Sequence, residues 1–561
     1  MRPAVRESPR AVPPRESTMT QETTTHAATG GSAARPRPTS EGRPDAARAV
    51  GLGAAALVVA VALAGAARAD VFDDIGYTAL KNRIGAANVP TGAGYGVGHV
   101  EAEETAGNYG PDTSLADFAG KTFASQTGAF GVSGHATTVG LALYGNTTSV
   151  APGVTSIFLW NANLWATTSF LRVNQGATPP AVPPAGMRIF NHSWIGSFGS
   201  TFLDNDALRR FDFELNRDNV LAAVGTNNGA GSAASALMGY GYHPLTVGLA
   251  NGQHCNALTP AGLDGQNRRK LDIVAPAGFT SFATPIVGAV SAMLFQTTDL
   301  DPGLAANPNA DKATLIKTVM MAGTTHRAGW TNNPATSGAT RGQTATPLDP
   351  LYGADLVNVD RSHYILTGQE QNGTTTVPAA NTILDRGWDW IPTITSNTSV
   401  YYRFTAYATT DELSVTAGWN RSVGSTFANF TLMDIDLNLY AANGTALTSL
   451  VGDATAFAGG NVSSVSTVDN VEHIYVTGLQ PGQYVLEVKR KAGSQATMPV
   501  ALAWYMTDTG PFGDLNGDDH IDAADLAILL GAWGTAGPGD LNESGAVDAL
   551  DLALLLGAWT G

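Results

Sequence analysis

Between residues 70 and 365, hydrophobic residues occur in short continuous runs separated by longer stretches with helical spacing. Residues 203–219 show the helical pattern, whereas each short apolar run predicts a buried strand. Strands that alternate with helices form parallel sheets, so this region is predicted to be an α/β domain. The predicted strand-like runs cover residues 96–101, 156–160, 187–191, 220–229 and 271–276.

From residue 366 to residue 509, polar and apolar positions alternate instead. Six short runs have this period of two, and Gly, Asn and Pro turns separate them. Such runs are typical of two packed antiparallel sheets, so the region is predicted to be an all-β sandwich. The runs cover residues 400–404, 412–417, 436–440, 473–476, 484–488 and 500–504.

Four acidic residues of the predicted sandwich fall near turns. The sequence favours solvated turn charges for all of them, with a calcium site as the alternative. They are Asp434, Asp436, Asp469 and Glu472.

Residues 511–561 contain a duplicated segment. Two loops rich in oxygen side chains recur 26 residues apart, and the same kind of apolar helix follows each loop. Oxygen ligands at the first, third, fifth, ninth and twelfth positions are the pattern of an EF-hand calcium loop, here ending in Asp. A small α-helical module that binds Ca²⁺ is therefore predicted. Its predicted ligands are Asp514, Asn516, Asp518, Asp522 and Asp525, then Asp540, Asn542, Ser544, Asp548 and Asp551.

This repeat resembles a type I dockerin, which implies a cohesin-like or cell-surface partner. The positions that family members use for recognition are apolar here, at Ala523-Ala524 and Ala549-Leu550. Surface tethering or sorting is therefore the broader expectation. A carbohydrate-active enzyme delivered by the same module is an alternative, but the sequence shows no paired carboxylates of the kind that glycoside hydrolysis requires.

The first 69 residues read as a disordered segment followed by a signal peptide. Residues 1–47 are rich in Pro, Arg, Ser and Thr. An apolar run from Gly51 to Ala66 ends at a small-x-small site, Ala67-Arg68-Ala69, which is typical of signal cleavage. The run is shorter than the roughly 20 residues that span a bilayer. We expect an exported protein with no transmembrane span after cleavage; an uncleaved signal anchor is the alternative.

Charge and cysteine content narrow the possible partners. The chain has 561 residues and a formal net charge of −16, and residues 1–69 hold nine Arg against five acidic residues. The remainder is therefore strongly acidic, which argues against nucleic acid and anionic membranes as partners. The single Cys255 excludes an internal disulfide.

One strand–turn–helix stretch carries candidate chemistry. Ser281 follows the predicted strand 271–276 and precedes a buried, small-residue helix, so its hydroxyl is predicted to lie at a helix N-terminus. Pro285 is expected in the first turn of that helix, where its missing N–H costs little. A capping Thr280-Ser281 pair on a core helix is the alternative interpretation.

Two upstream residues could assist this serine. His135 begins a second small-residue helix, and Glu101 ends the predicted strand 96–101. Parallel sheets collect active residues at the carboxyl ends of their strands, which would bring these side chains together. Asp112 and Asp117 are nearer His135 in sequence, but neither ends a strand, so Glu101 is preferred as the acid.

The order of acid, histidine and serine, with the stretches around them, resembles the subtilase (subtilisin-like serine peptidase) family over about 290 residues. The segments that carry the resemblance are His135-Ala136-Thr137-Thr138-Val139-Gly140, Val150-Ala151-Pro152-Gly153, Asn191-His192-Ser193-Trp194-Ile195-Gly196, Lys270 to Pro276, Thr280-Ser281-Phe282-Ala283-Thr284-Pro285 and Tyr352 to Val359. The region 366–509 is similar to the jelly-roll-like domain that follows the catalytic domain in many subtilases.

The resemblance implies a serine endopeptidase acting on protein or peptide substrates. It implies that Ser281 is the nucleophile, His135 the base, Glu101 the orienting acid and Asn227 the oxyanion donor. Glu101 stands where the family has Asp, and Ala136, Thr138 and Phe279 also depart from its motifs. A catalytically impaired subtilase fold that serves as a surface binding scaffold is therefore the alternative.

Overall fold

The computed structural model describes most of the chain from residue 71 onward. The predicted signal peptide and the predicted ligand Asp518 lie outside the described residues. The described residues are 71–560 except 233, 377–382, 407–408, 444–445, 450–458, 509–512, 517–519, 536–538, 543 and 545. Within these ranges, no helix combines the length and the apolar character needed to cross a bilayer.

A seven-stranded sheet forms the centre of the first region. Every neighbouring pair in it is parallel, which confirms the predicted α/β architecture. The sheet order is β3-β5-β1-β6-β7-β8-β9. These strands are β1 (Gly96–Glu101), β3 (Thr122–Ser125), β5 (Ser156–Asn161), β6 (Met187–His192), β7 (Leu221–Gly225), β8 (Leu245–Leu249) and β9 (Ile273–Ala275), and a separate parallel pair is β2 (Asn108–Gly110) with β4 (Gly131–Val132).

Helices surround this sheet. They are α1 (Tyr77–Ile84), α2 (Gly134–Tyr144), the short α3 (Ala162–Leu164), α4 (Thr201–Asp218), α5 (Thr280–Leu300), α6 (Pro302–Ala305), α7 (Ala313–Ala322) and α8 (Val359–Thr367). The predicted helix 203–219 corresponds to α4, which ends where Asn219 adopts a left-handed conformation with φ 55°. Asn tolerates that conformation better than most residues, which makes it a natural helix terminator.

The helix after β9 begins earlier than its sequence suggested. Helix α5 starts at Thr280, so Pro285 lies in the second turn and not in the first, contrary to the sequence-based expectation. A residue at that position normally donates its N–H to the carbonyl oxygen four residues back. Because Pro285 has no N–H, the carbonyl oxygen of Ser281 accepts the hydroxyl of Ser193 instead, over 2.9 Å.

The second region contains two larger sheets that face each other across one apolar core, with residues such as Tyr402, Leu486, Val415 and Trp504. All six predicted strands are present. One sheet contains β10 (Gln343–Thr344), β12 (Ser399–Ala406), β16 (Ile435–Asn443), β17 (Ala446–Ser449), β19 (Ser463–Ser464) and β21 (Gly482–Arg490). The other contains β11 (Arg386–Ile391), β13 (Thr410–Trp419), β18 (Gly459–Gly460), β20 (Val471–Thr477) and β22 (Val500–Asp508); β14 (Ser422–Val423) pairs with β15 (Phe430–Thr431).

The sandwich and the α/β region share a hydrophobic core. Trp388, Ala501 and Ala503 from the sandwich belong to the same buried cluster as Met320 and Met321 of α7. One face of the sandwich therefore completes the packing of the α/β region.

A fully buried guanidinium also joins the two regions. Arg421, between β13 and β14, bonds the carboxylate of Asp212 on α4 over 2.6 Å and that of Asp264 over 2.8 Å. Both Arg421 and Asp212 have side chains with 0% exposure.

Three of the four acidic residues that the sequence placed in solvated turns are buried. They are Asp436, Asp469 and Glu472, for which that interpretation was wrong, whereas Asp434 is partly buried. Hydroxyl groups compensate for the lost water: Ser464 donates to Glu472, and Ser466 donates to Asp469 over 2.6 Å. Among the described residues, no group of three or more His, Cys, Asp or Glu side chains is arranged to hold a metal ion.

The C-terminal repeat folds as two matching loop–helix units, α9 (Ala523–Gly531) and α10 (Ala549–Gly557). Each helix begins with a capping box, from Asp522 and Asp525 in the first unit and from Asp548 and Asp551 in the second. The units share a small apolar core that contains Leu515, Ile521, Leu529, Val547 and Leu555.

Candidate active site

Glu101 and His135 meet at the carboxyl edge of the parallel sheet. Glu101 is the last residue of β1 and is 1% exposed. Its Oε2 lies 2.8 Å from Nδ1 of His135, in the first turn of α2. Ser133 caps that helix by accepting the N–H of Ala136 over 3.1 Å, which fixes where His135 emerges.

The surroundings of the pair favour an ionised Glu101 carboxylate and a readily protonated His135 imidazole. Burial lowers the pKa of His135, but the charge and hydrogen bond of Glu101, with the charge of Glu104, raise it overall above its ordinary value of 6.5. Burial raises the pKa of Glu101, yet the interactions with His135 and His99 hold it below its usual value. Because Nδ1 is bonded to Glu101, Nε2 is the nitrogen of His135 that remains for a reacting group.

Asp112 and Asp117, the other candidate acids, are engaged elsewhere. Asp112 accepts the hydroxyl of Ser114 over 2.6 Å, and Asp117 accepts the hydroxyl of Thr147 over 2.6 Å. Glu101 is thus the carboxylate in contact with the His135 ring, as the strand-end argument predicted.

Ser281 is the second residue of α5. The N-cap position of this helix is Phe279, which offers no side-chain acceptor and is 54% exposed. Asn228, from the loop after β7, substitutes for the missing cap: its Oδ1 accepts the N–H of Thr280 over 2.8 Å. The Thr280 hydroxyl also donates to the carbonyl oxygen of Thr226 over 2.6 Å, so the start of α5 is tied to that loop.

The Ser281 hydroxyl is within reach of neighbouring elements. It donates to the carbonyl oxygen of Ser193, just beyond β6, over 3.4 Å. The next residue, Phe282, has its ring centroid 5.9 Å from that of His135. The structure therefore brings α2 and α5 side by side, but the Ser281 hydroxyl bonds a backbone carbonyl and not the imidazole.

Asn227, the predicted oxyanion donor, lies in the same loop after β7 as Asn228. It is half-buried, and its carbonyl oxygen accepts the N–H of Cys255 over 2.9 Å. Its sequence neighbours on both sides, Thr226 and Asn228, bond Thr280. The loop that carries Asn227 is thus attached to the helix that carries Ser281.

Four contributors to this site were missed from the sequence. Glu104 accepts the N–H of Gly134 over 2.7 Å at the start of α2, and Asn228 caps α5. His99 contacts Glu101 from behind, and Tyr144 contacts His99 in turn. Of these, only His99 had a signal in the sequence, because a strand with period two places residues 99 and 101 on one face.

An apolar cavity of about 350 Å³ opens beside the residue that follows Ser281. Helices α2 and α5 supply one part of its wall and the start of the described chain supplies another. Its lining residues include Val71, Phe72, Ile75, Thr138, Ala142, Phe282 and Ile286.

The predicted calcium ligands of the two loops all have oxygen side chains, a donor set that fits a hard cation such as Ca²⁺. The twelfth-position carboxylates are buried and accept backbone N–H groups: Asp525 from Leu515 over 2.7 Å, and Asp551 from Asn542 over 2.8 Å. Asp518, the predicted ligand at the fifth position of the first loop, lies outside the described residues.

Comparisons with known proteins give only distant similarity. No family model and no curated protein matches the chain. A solved lanthipeptide protease is 12% identical, with a TM-score of 0.34, over 51% of this chain and 92% of its own. A serine protease of Aeromonas sobria is 14% identical, with a TM-score of 0.31, over 74% of this chain and 89% of its own. The function of this chain therefore has to be inferred from the geometry of its own side chains.

Proposed function

We propose that this protein is an exported serine endopeptidase. The observation that carries the proposal is the pair of buried Glu101 and partly buried His135 at the carboxyl edge of the sheet, beside a helix whose second residue is Ser281. A carboxylate that orients an imidazole next to a hydroxyl is the arrangement needed for nucleophilic attack by that hydroxyl.

In the proposed reaction, Nε2 of His135 takes the proton of the Ser281 hydroxyl as its oxygen attacks the peptide carbonyl carbon. The C–N bond then breaks, and the same nitrogen returns the proton to the leaving amine. Glu101 remains ionised and stabilises the imidazolium. A water molecule repeats the sequence to release the acyl group as a carboxylic acid.

The negative charge that develops on the carbonyl oxygen during attack needs hydrogen-bond donors to stabilise it. The backbone N–H of Ser281 at the start of α5 and the side chain of Asn227 are the proposed pair, and one such donor is worth roughly 3–4 kcal/mol in the transition state. The apolar walls of the cavity next to Phe282 support a substrate with a nonpolar side chain close to the cleaved bond.

A binding scaffold without catalytic activity is the second candidate. The bond from the Ser281 hydroxyl to the Ser193 carbonyl, in place of a bond to His135, favours it. Catalytic hydrogen bonds are often long or misaligned before substrate binds, so the first candidate is retained.

Casein hydrolysis by the wild-type protein and by Ser281→Ala distinguishes these candidates. We expect hydrolysis and labelling by a fluorophosphonate in the wild type, with both lost in Ser281→Ala. Ser494→Ala is the matched control, because Ser494 is an exposed loop serine of the sandwich. A folded wild type that neither cleaves casein nor takes the label would overturn the peptidase proposal and leave the scaffold.

We further propose that the C-terminal repeat binds two calcium ions and tethers or sorts the protein through a cohesin-like or cell-surface partner. The matching capping boxes and the oxygen side chains at the predicted ligand positions support this proposal. Calorimetric titration of the intact chain should give two ions per chain, and Asp540→Ala should remove one. Asp411→Ala, an exposed acid outside the repeat, is the control. Binding that is unchanged in Asp540→Ala would contradict the assignment.

Export is also a proposal, supported by the apolar run Gly51 to Ala66 and the small residues that follow it. N-terminal sequencing of the protein recovered outside the cell is expected to begin at Asp70. Recovery of an intact N-terminus in the membrane fraction would instead indicate an uncleaved anchor.

A further inference from the structure

A line of buried polar groups continues behind the Glu101–His135 pair. Glu101 uses its two oxygens differently: Oε2 bonds His135, and Oε1 lies 3.1 Å from Nε2 of His99. The other nitrogen of His99, Nδ1, lies 2.9 Å from the hydroxyl of Tyr144. His99, Glu101 and Tyr144 are all shielded from solvent, so this line is a closed part of the core.

The chemistry of the groups fixes the direction of each hydrogen bond. An ionised Glu101 carboxylate can only accept, so Nε2 of His99 must carry a proton. In the neutral imidazole, Nδ1 is then an acceptor, and the Tyr144 hydroxyl donates to it. Burial, together with the charge of Glu101, raises the pKa of Tyr144 well above its ordinary value, so its proton stays in place. Glu101 thereby selects the tautomer of His99 that donates to it, and Tyr144 supplies the donor for the other nitrogen of that tautomer.

The same two elements supply all four groups. Strand β1 presents His99 and Glu101 on one face because they are two residues apart. Helix α2 begins with Gly134-His135 and ends at Tyr144.

A glycine makes room for the tyrosine hydroxyl. A side-chain carbon added at Gly140 of α2 would stand 2.5 Å from the Tyr144 hydroxyl oxygen. Helical side chains lean back over the preceding turn, which is how Tyr144 comes to cover the position four residues earlier. Gly140 thus leaves space beside α2 for the Tyr144 hydroxyl group.

We propose that His99 and Tyr144 are positioning residues for the reaction, acting through Glu101. A glutamate has one more rotatable bond than the aspartate of related motifs, and a carboxylate held at one oxygen only can rotate away from the imidazole. The His99 bond holds the second oxygen, so that the first stays aligned on Nδ1 of His135. Neither residue contacts the substrate. The inference rests on the proposed peptidase function of the same site.

The test compares His99→Ala, His99→Gln and Tyr144→Phe with the wild type. Misplacement of a catalytic group can cost on the order of 100-fold in rate, so we expect His99→Ala to lower kcat by about 10- to 100-fold with little change in KM. His99→Gln, whose amide can donate to Glu101, should recover most of that loss. Tyr144→Phe should lower kcat less and shift the acid limb of the pH profile, because Nδ1 of the buried His99 loses its donor and the His99 ring holds Glu101 less firmly.

Tyr402→Phe is the matched control. Like Tyr144, Tyr402 is a buried tyrosine whose hydroxyl donates a hydrogen bond, in its case to the carboxylate of Asp389 over 2.6 Å, but it lies in the sandwich. It should lower the melting temperature without changing kcat or the pH profile. A purely structural role for Tyr144 would give the same result as this control. A kcat and a pH profile equal to wild type in Tyr144→Phe, with full activity in a folded His99→Ala, would therefore overturn the inference.

A measurement that needs no turnover separates failure of the peptidase proposal from failure of the positioning inference. The Nδ1 proton between Glu101 and His135 gives a downfield proton resonance in NMR spectra, assigned by its loss in Glu101→Gln. We expect this resonance to shift in Tyr144→Phe and not in Tyr402→Phe. If the wild type shows no Ser281-dependent hydrolysis, the peptidase proposal fails while this shift still supports positioning. An unchanged resonance in Tyr144→Phe overturns positioning whatever the activity.

Discussion

Replacement of Arg421 by methionine tests the junction between the α/β region and the sandwich. The guanidinium is fully buried against the equally buried Asp212, and it also bonds Asp264. Methionine keeps most of the apolar volume of the side chain but removes its charge. Asp212 is then left as a buried anion without its ionic partner.

Removing one member of a buried ion pair costs about 3–5 kcal/mol of unfolding free energy, because the other charge stays desolvated. Asp212 also accepts the N–H groups of Tyr242 over 3.0 Å and His243 over 2.9 Å. Those two donors persist in the variant, so we expect a loss near the lower limit, about 3 kcal/mol.

Urea unfolding at pH 7, followed by tryptophan fluorescence, measures this loss, and calorimetry establishes whether a single transition is observed. The double variant Arg421→Met/Asp212→Asn should lose at least about 1 kcal/mol less than the sum of its single variants, because it leaves no unpaired charge. Lys312→Met is the control: its ion pair with Asp311 is 3.8 Å long and partly exposed to solvent, so the substitution should cost below about 1 kcal/mol. A loss under about 1 kcal/mol in Arg421→Met, or strict additivity in the double variant, would refute the reasoning.

Three further predictions concern protons and caps. Burial lowers the pKa of His473 to about 3, against 6.5 in the unfolded chain, so the unfolded state binds more protons than the folded state once the pH falls below 6.5. The free energy of unfolding should therefore fall by up to about 1.4 kcal/mol per pH unit because of this group. The dependence of the free energy of unfolding on pH should be less steep in His473→Gln. Glu104→Gln removes one charge that raises the pKa of His135, so the acid limb of kcat/KM should move to lower pH, less so in high salt; no shift at low salt would exclude that role. Asn228→Ala removes the acceptor for the Thr280 N–H and should cost about 1 kcal/mol in urea unfolding, whereas an unchanged midpoint would mean that water replaces the cap.

The elements that carry the site could be predicted from the sequence because they have strong local patterns. Strand β1 ends at Glu101 and α2 begins beside His135, as period and helix-start signals indicated. The start of α5 was misjudged, because the structure caps it with Asn228 from another loop, and no local signal encodes a partner about fifty residues away. The sequence likewise does not show that the Ser281 carbonyl oxygen, which Pro285 leaves without a helical donor, accepts the hydroxyl of Ser193.

Burial of polar groups was the least predictable property. Asp469 and Glu472 look like turn residues in sequence, but both are buried, and serine hydroxyls replace the water they lose. The ion pair of Arg421 with Asp212 links residues that are 209 positions apart. Pairings of this kind depend on how the sandwich is placed on the α/β region, which periodicity does not report.

The shared core has a consequence for the order in which the chain is made. Residues up to 367 emerge from the ribosome first and contain every candidate catalytic side chain, yet their core also needs Trp388, Ala501 and Ala503 from the later sandwich. Until those residues are synthesised, α7 has an uncovered apolar face and Asp212 has no guanidinium. Domains usually fold as units during synthesis, but this junction delays completion of the α/β region until the sandwich is present. A truncated chain that ends near residue 365 should therefore aggregate, and the active geometry should mature only after translation has passed the sandwich.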